Sequence, residues 1–157
     1  LTSGTRLAAD LPHSFLFDLT YLPGTLEAVS YKDGKEISRD TLVTTGPAKE
    51  LRLIQEKKEL SANGHEVAYV RVEIVDENGI VVPDAALKLS AAVEGVGSLA
   101  AFGSSNPITD ENYTSGTFTS YHGTATAIIR SGYQTGMCTL TVGCEELDEK
   151  KIAFTLK

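Results

Sequence analysis

The sequence predicts an all-β chain: an immunoglobulin-like β-sandwich preceded by part of a smaller antiparallel β-unit. Three observations lead to this prediction. Apolar residues recur at every second position in many short segments, turn signals separate these segments at short intervals, and helical periodicity is nearly absent. Short strands separated by turns at this density are typical of a β-sandwich. The chain has no Trp, so the Cys–Trp–Cys core of antibody domains is missing.

The first segments predict a small β-unit. Alternating apolar residues predict a strand over 15–21, and Pro23-Gly24 then turns the chain. Strands over 26–31 and 37–44 flank Asp33-Gly34, which is a strong hairpin signal because the glycine readily adopts positive φ. We therefore expect these two strands to pair with each other.

A domain boundary is predicted at Gly46-Pro47, because proline lacks the N–H that a strand ladder needs. Residues 1–47 would then be the C-terminal part of a small β-domain, and residues 48–157 the sandwich. A unit of about 45 residues is small for independent stability. The sequence starts at Leu1 rather than at Met, and we expect it to be a piece of a larger protein.

The alternation resumes after this boundary and is clearest over 67–75. The residues of this segment that are predicted to face the core are Ala68, Val70, Val72 and Ile74. Asn63-Gly64 and the segment 76–79 have the composition of turns. The other predicted strands cover residues 51–53, 87–93, 98–102, 124–130, 138–144 and 152–156.

Cys138 and Cys144 fall in one predicted strand. Six residues of strand separate them by about 20 Å, whereas a disulfide needs Cα atoms within roughly 7 Å. We expect them not to pair with each other and to act as small buried apolar residues.

A long segment over 103–120 is rich in Ser, Thr, Asn and Gly and is predicted to be a loop. Loops of this length in compact domains are uncommon and often functional. The aromatic residues in or beside it are Tyr113, Phe118, Tyr121 and Tyr133. They could form a platform for a sugar ring, although packing of the loop against the sandwich is the default interpretation.

The sequence contains no recognisable catalytic or metal-binding motif. His13, His65 and His122 lie near predicted strand ends or turns, and no G-x-S-x-G elbow occurs. The acidic segment 76–78 resembles a calcium loop only superficially, and a solvated β-turn is the better account of it. The segment 110–112 is a slightly better cluster of oxygen ligands, but it also lacks the pattern of a calcium loop. We therefore expect no catalytic residue, no metal site and no cofactor in this chain.

The charge and hydropathy of the chain exclude some classes of binding partner. The net charge is -7, with 14 basic and 21 acidic residues spread along the chain. This argues against a nucleic-acid partner, because phosphate binding needs clustered Lys and Arg. No apolar run approaches the roughly 18 residues of a spanning helix, so we also expect no membrane insertion.

Two stretches together carry a family resemblance. Residues 21–46 contain a Tyr-x-Pro-Gly-x-Leu turn, an Ala-Val-x-Tyr-x-x-Gly-Lys hairpin and a Thr-x-Gly exit. This pattern closely resembles the small β-domain that follows the catalytic barrel in bacterial glycoside hydrolase family 2 enzymes of the β-galactosidase type. Residues 49–157, from KELRLIQEKKELSANGHEVAYV onward, are similar to the C-terminal immunoglobulin-like domain of the same enzymes.

The resemblance implies a parent enzyme that hydrolyses β-galactosides or related β-glycosides with two Glu residues of a barrel outside this chain. This chain would be its non-catalytic accessory region, with the other domains of the parent as partners, and export to the periplasm or cell surface of a bacterium. The Asn-Gly-Asp-Pro often present in the family's second loop is Ser104-Ser105-Asn106-Pro107 here. If the chain contacts a glycan, the residues expected to do so are Asn106, Tyr113 and Tyr121.

Two other classes stay open from the sequence. One is a carbohydrate-binding module that acts through the 103–120 loop. The other is an invasin-like cell-surface adhesin repeat, because the segment from Leu60 to Pro83 also looks like the sandwich repeats of those proteins.

Overall fold

The structure is a computed structural model that describes residues 6–7 and 16–157, and all regular secondary structure in this part of the chain is β. The strands are β1 Arg6–Leu7, β2 Leu16–Phe17, β3 Thr25–Lys32, β4 Lys35–Val43, β5 Glu50–Gln55, β6 Glu59–Leu60, β7 Val67–Val75, β8 Lys88–Gly95, β9 Gly97–Gly103, β10 Thr117–Thr119, β11 Thr124–Ser131, β12 Gly136–Gly143 and β13 Lys150–Leu156. Across these described residues, no helix has the length and apolar character needed to cross a membrane.

The chain divides into two compact units, Leu1–Thr44 and Thr45–Lys157. The boundary predicted from Gly46-Pro47 lies three residues further along the chain than this division.

The first unit contains two separate antiparallel pairs, β1 with β2 and β3 with β4. The hairpin β3–β4 confirms the Asp33-Gly34 signal: both residues have positive φ, 50° and 77°, as a two-residue hairpin turn that matches strand twist requires. The strand predicted over 15–21 is wrong beyond Phe17, because residues 18–22 form no ladder. Phe15 lies outside the described residues.

The second unit is a β-sandwich, as predicted. One sheet has five strands in the order β10-β8-β12-β13-β6, and the other has four in the order β5-β7-β11-β9. Strand β7 spans Val67–Val75, and its four predicted core residues are each fully buried. The core joins side chains of both sheets, among them Val70, Val72, Leu89, Phe102, Phe118, Ala127, Ile129, Leu140 and Phe154.

Three details of the second unit differ from the sequence prediction. The predicted loop 103–120 contains strand β10, whose Phe118 is fully buried and pairs with Leu89, so the irregular segment is only 104–116. The short strand β6 pairs in parallel with β13, at the far end of the chain. The segment between the predicted strands 138–144 and 152–156 is shorter at its end, because β13 already begins at Lys150.

Both cysteines are free, as expected. Cys138 lies in the core on the inward face of β12, whereas Cys144 follows the end of that strand and is half-buried. Burial raises the pKa of both thiols, which keeps them protonated at neutral pH.

Candidate functional site

The segment 104–116 packs its main aromatic residue onto the sandwich. The ring of Tyr113 stacks on that of Phe118, with 4.8 Å between centroids and 30° between planes. The backbone carbonyl of Tyr113 accepts a hydrogen bond from the Phe102 N–H at 2.7 Å. Gly103 leaves the space that the ring occupies, because a Cβ at this position would overlap Tyr113 Cδ1 and Cε1. Tyr113 is 47% exposed, so one part of its ring packs and another faces solvent.

Glu111 anchors the same segment. Its carboxylate accepts hydrogen bonds from the Thr119 N–H at 3.0 Å and the Thr119 hydroxyl at 3.1 Å, and it forms an ion pair with Lys88. Lys88 is the main cause that lowers the pKa of this carboxyl, and the Thr119 N–H adds to the effect. These contacts occupy the Glu111 carboxylate, which belongs to the acidic segment 110–112. Among the described residues, no group of three or more His, Cys, Asp or Glu converges as a metal site would require.

A shallow hollow of about 250 Å³ lies beside Tyr113, and we call it the Tyr113 depression. It is lined by Ala101, Gly103, Ser104, Ser105, Tyr113, Thr126 and Ile128. The hydroxyl oxygen of Ser104 is buried and has no hydrogen-bond partner within the described part of the chain. Buried polar groups normally have a partner, so this hydroxyl could serve a water molecule or a ligand hydroxyl.

The other two residues predicted to contact a glycan do not line this depression. The Asn106 side-chain oxygen accepts the Ile108 N–H at 3.0 Å, so it closes a local turn. Tyr121 is half-buried, its ring lies 4.1 Å from that of His122, and its backbone pairs with Thr124. Of the three predicted contact residues, Tyr113 alone borders this hollow, and the glycan role of all three stays a prediction.

Tyr133 lies at the other end of strand β9 from this loop. The loop 104–116 follows the last residue of β9, Gly103, whereas Tyr133 lines a hollow with Gly97, the first. Seven residues of strand place these two ends about 20 Å apart. The prediction that Tyr133 lies beside the long loop is therefore wrong. With 77% exposure, it is the most exposed aromatic residue that the structure describes in the second unit.

Asp76 is buried rather than solvated, which corrects the expectation for the turn 76–79. It is 1% exposed, and its carboxylate accepts N–H groups from Gly46, Asn78 and Ile80, each at 2.9 Å. The Gly46 N–H is the main cause that lowers the pKa of this carboxyl. Asp76 is therefore a structural residue of this turn.

The outer faces of the two sheets differ in chemistry. Outward residues of the five-stranded sheet are mostly small, hydroxylated or charged, among them Ala92, Glu94, Thr139, Thr141, Lys151 and Ala153, and Met137 adds one exposed apolar side chain near the start of β12. The four-stranded sheet instead presents Arg52, Ile54, Tyr69, Arg71, Thr126, Ile128 and Arg130 around Glu73. This second set, the arginine face, includes three of the five arginines in a chain of net charge -7.

Glu73 organises the arginine face. Its side chain is only 6% exposed and lies between two guanidinium groups. The Arg52 Nε donates to its carboxylate at 2.7 Å, and the Arg71 Nε lies 2.9 Å from the other oxygen. Arg52 also donates to the Gly79 carbonyl at 2.8 Å. The two guanidinium groups are thus held in place at the surface.

Comparison with known proteins relates the sandwich to a family of enzyme domains. The family model "glycoside hydrolase family 2 C-terminal domain 5" matches residues 51–153. A β-galactosidase of Bacteroides ovatus is 29% identical over 125 residues, which cover 80% of this chain and 15% of that protein. A β-galactosidase of Thermoanaerobacter pseudethanolicus is 37% identical over 87 residues, which cover 55% of this chain and 11% of that protein.

A solved structure of a glycosyl hydrolase family 2 member from Bacteroides cellulosilyticus superposes with a TM-score of 0.88 at 28% identity. The match covers 91% of this chain and 19% of that one. The chain thus spans under a fifth of the length of each of these proteins, and the family model it matches is that of a C-terminal domain. The match to residues 51–153, most of the sandwich, shows that the chain belongs to the glycoside hydrolase family 2 C-terminal domain 5 family.

Proposed function

We propose that this chain is a non-catalytic accessory region of a larger β-galactosidase-type enzyme, and that the sandwich packs against another domain of that enzyme. The carrying observation is that the family match fills most of the sandwich, while the chain spans only 15% of a β-galactosidase relative. The remaining length of such a protein supplies both the catalytic groups and the surfaces against which the sandwich can pack.

The arginine face is the surface we assign to this contact. Arg, Tyr and aliphatic side chains are enriched in the centres of protein interfaces, whereas Lys and Glu are depleted there. Ile54, Tyr69 and Ile128 supply apolar area between the arginines. An occupant with carboxylates and an apolar patch, on another domain of the same polypeptide, complements this surface.

A pair of matched double variants tests the contact in the full-length enzyme. Tyr69→Asp with Ile128→Asp places two charges on the arginine face, and Thr139→Asp with Thr141→Asp places two on the other outer face. We expect the first pair to release the sandwich to limited proteolysis and to lower the thermal stability of the enzyme, with little effect of the second pair. Equal behaviour of the two pairs would refute the assignment.

The non-catalytic role has its own test. We expect the purified 157-residue chain to leave an aryl β-galactoside unhydrolysed, whereas the full-length protein cleaves it. Hydrolysis by the isolated chain that persists in a repurified sample would overturn the accessory role. An adhesin repeat, the alternative from the sequence, would instead require tandem sandwich copies in the full-length protein, and the family match favours the hydrolase.

Glycan contact is a second candidate function, and the Tyr113 depression favours it. Tyr113, whose ring is partly exposed, and Ser104, whose buried hydroxyl has no partner within the described part of the chain, both line this hollow. Substitutions Tyr113→Ala and Tyr121→Ala test this candidate. A sugar whose binding neither substitution weakens would eliminate the loop as its site.

A further inference from the structure

The ring of Tyr133 is fixed on one face and open on the other. A Cβ built on Gly64 would lie nearest to Tyr133 Cζ, with Cε1 and Cε2 at nearly equal distances of 2.6 and 2.7 Å. Such a point lies above the ring plane, so the Gly64 backbone packs flat against one face of the ring. The side chain nevertheless remains 77% exposed, which leaves the opposite face to solvent.

Two further contacts hold this ring in place. The Gly64 N–H donates a hydrogen bond to the Gly132 carbonyl at 3.0 Å, which ties the loop before β7 to the loop that carries Tyr133. The ring of His65 meets Tyr133 edge-on, with 6.3 Å between centroids and 85° between planes. An aromatic ring fixed in this way loses little rotamer entropy when a ligand stacks on it.

Tyr133 lines a hollow of about 330 Å³, which we call the Tyr133 depression. Its other lining residues are Gly95, Val96, Gly97, Ser98, Gly132 and Gln134. Glycines form much of this wall, so a ligand can approach the backbone closely there. Ser98 and Gln134 are exposed, and their side chains make no hydrogen bond within the described part of the chain, which leaves them free to bind hydroxyl groups.

The composition of this site matches a sugar better than a protein surface. A protein-docking patch needs several adjacent large apolar residues, whereas Tyr133 and Val96 are the only large apolar side chains among the lining residues. A pyranose ring has one face of C–H groups that stacks on an aromatic ring, and hydroxyl groups at its rim. One fixed ring with hydrogen-bonding groups beside it provides both kinds of contact.

We infer that Tyr133, Ser98 and Gln134 form a carbohydrate-binding site for a single pyranoside unit, stacked on the open face of Tyr133. This site is separate from the Tyr113 depression, because the two lie at opposite ends of strand β9. The inference goes beyond the accessory role, which requires no ligand. A site of one stacked ring binds weakly, with a Kd on the order of millimolar.

Titration of the 157-residue chain with methyl β-galactoside and methyl β-glucoside, followed by amide NMR shifts, tests this site. Sorbitol, which has hydroxyl groups but no ring face, is the matched control ligand. We expect saturable shifts at the amides of Gly64, Gly132, Tyr133 and Gln134 with at least one glycoside, and none with sorbitol. No saturable shift at these amides up to about 100 mM of either glycoside would overturn the proposal.

Four variants test whether sugar binding depends on the ring of Tyr133. Tyr133→Ala should weaken binding at least about tenfold, and Tyr133→Phe should retain it within about threefold, because the ring face remains. Gly64→Ala, whose Cβ would displace the ring, should also weaken binding while Tyr133 is intact. Tyr113→Ala should leave binding unchanged.

Binding lost in Tyr113→Ala but kept in Tyr133→Ala would overturn the proposal and favour the loop. A Tyr133→Ala variant that releases the sandwich from the full-length enzyme, with sugar binding unchanged, would make this tyrosine a domain contact instead. Thermal melts of every variant show whether the fold is intact, and Tyr133→Phe keeps the test valid if Gly64→Ala does not fold.

Discussion

The backbone N–H of Gly46 donates a hydrogen bond of 2.9 Å to the carboxylate of Asp76. The first residue belongs to the Gly-Pro segment that precedes the sandwich strands, and the second begins the turn after β7. Asn78 and Ile80 donate to the same carboxylate, so one buried side chain closes its own turn and attaches the incoming chain. Asp76 therefore connects two segments that are 30 residues apart in sequence.

Replacement of Asp76 by Ala should destabilise the sandwich, because three partly buried hydrogen bonds from backbone N–H groups lose their acceptor. We expect the melting temperature to fall by about 5–10 °C, as measured by circular dichroism. Asp84→Ala is the matched control, since Asp84 is an exposed aspartate in the following loop. A loss of stability in the control as large as that in Asp76→Ala would contradict the role assigned to Asp76.

Glu66 makes stability depend on pH at the opposite end of β7. Its carboxylate accepts Lys57 Nζ at 2.6 Å and the Ser61 N–H at 2.5 Å, and these bonds lower its pKa from 4.5 to about 2. A carboxyl whose pKa is lower in the folded state stabilises the fold fully above pH 4.5 and loses this contribution as the pH falls towards 2. Glu66→Gln should therefore melt at a lower temperature at pH 6 and show a shallower acid decline.

Thermal melts from pH 6 to pH 2 measure both effects, and Glu77→Gln is the control because Glu77 is exposed in the 76–79 turn. If Glu66→Gln and the parent chain lose stability in parallel over this range, the hydrogen bonds of Glu66 do not contribute in solution.

Local signals predicted the parts of this fold that depend on local chemistry. Asp33-Gly34 fixed the hairpin, because few residues tolerate two consecutive positive φ values. The prediction of which β7 residues face the core was correct, because apolar residues alternate along this strand and only one of its two faces can be buried as a row.

Contacts between distant segments could not be predicted in this way. The two residues of β6 form a strand because they pair with β13, nearly a hundred residues later. Asp76 looked like a solvated turn residue because its partner Gly46 lies far upstream. Tyr133 lies close to the long loop in sequence, yet strand β11 carries the chain from one end of the sandwich to the other. Alternation of apolar residues predicts which side chains of a strand face the core, but it does not predict the order of the strands in a sheet.

Glu111 controls the order of the segment 104–116. Its bonds to Thr119 and its ion pair with Lys88 are partly exposed, so their loss should loosen the loop more than it destabilises the sandwich. We expect Glu111→Gln to increase amide hydrogen exchange at Thr119 by about tenfold and to leave strand β7 unchanged. Asp110→Asn, an exposed neighbour, is the control. Unaltered exchange at Thr119 would show that Glu111 does not make these contacts in solution.

Val70 tests the inward face of β7. Its side chain is fully buried between the two sheets. Val70→Ala should cost about 2 kcal/mol of unfolding free energy through the cavity it leaves. Val70→Asp should cost more than about 4 kcal/mol and prevent folding, because the core offers a charge no partner. Thr126→Asp, on the outward face of β11, is the control. Urea unfolding measures Val70→Ala and Thr126→Asp, and circular dichroism shows whether Val70→Asp folds; a folded Val70→Asp would contradict the face assignment.

The two thiols should differ in reactivity, because Cys138 is 1% exposed in the core and Cys144 is half-buried beyond the end of β12. Raised pKa values make both slow towards a thiol reagent at pH 7, and a higher pH speeds the reaction by forming thiolate. We expect one equivalent of reagent to react in the native chain, at Cys144, and a second only in denaturant. Mass spectrometry of each fraction identifies the modified residue. Modification of Cys138 at the same rate as Cys144 would mean that β12 opens readily, which its pairing with both β8 and β13 argues against.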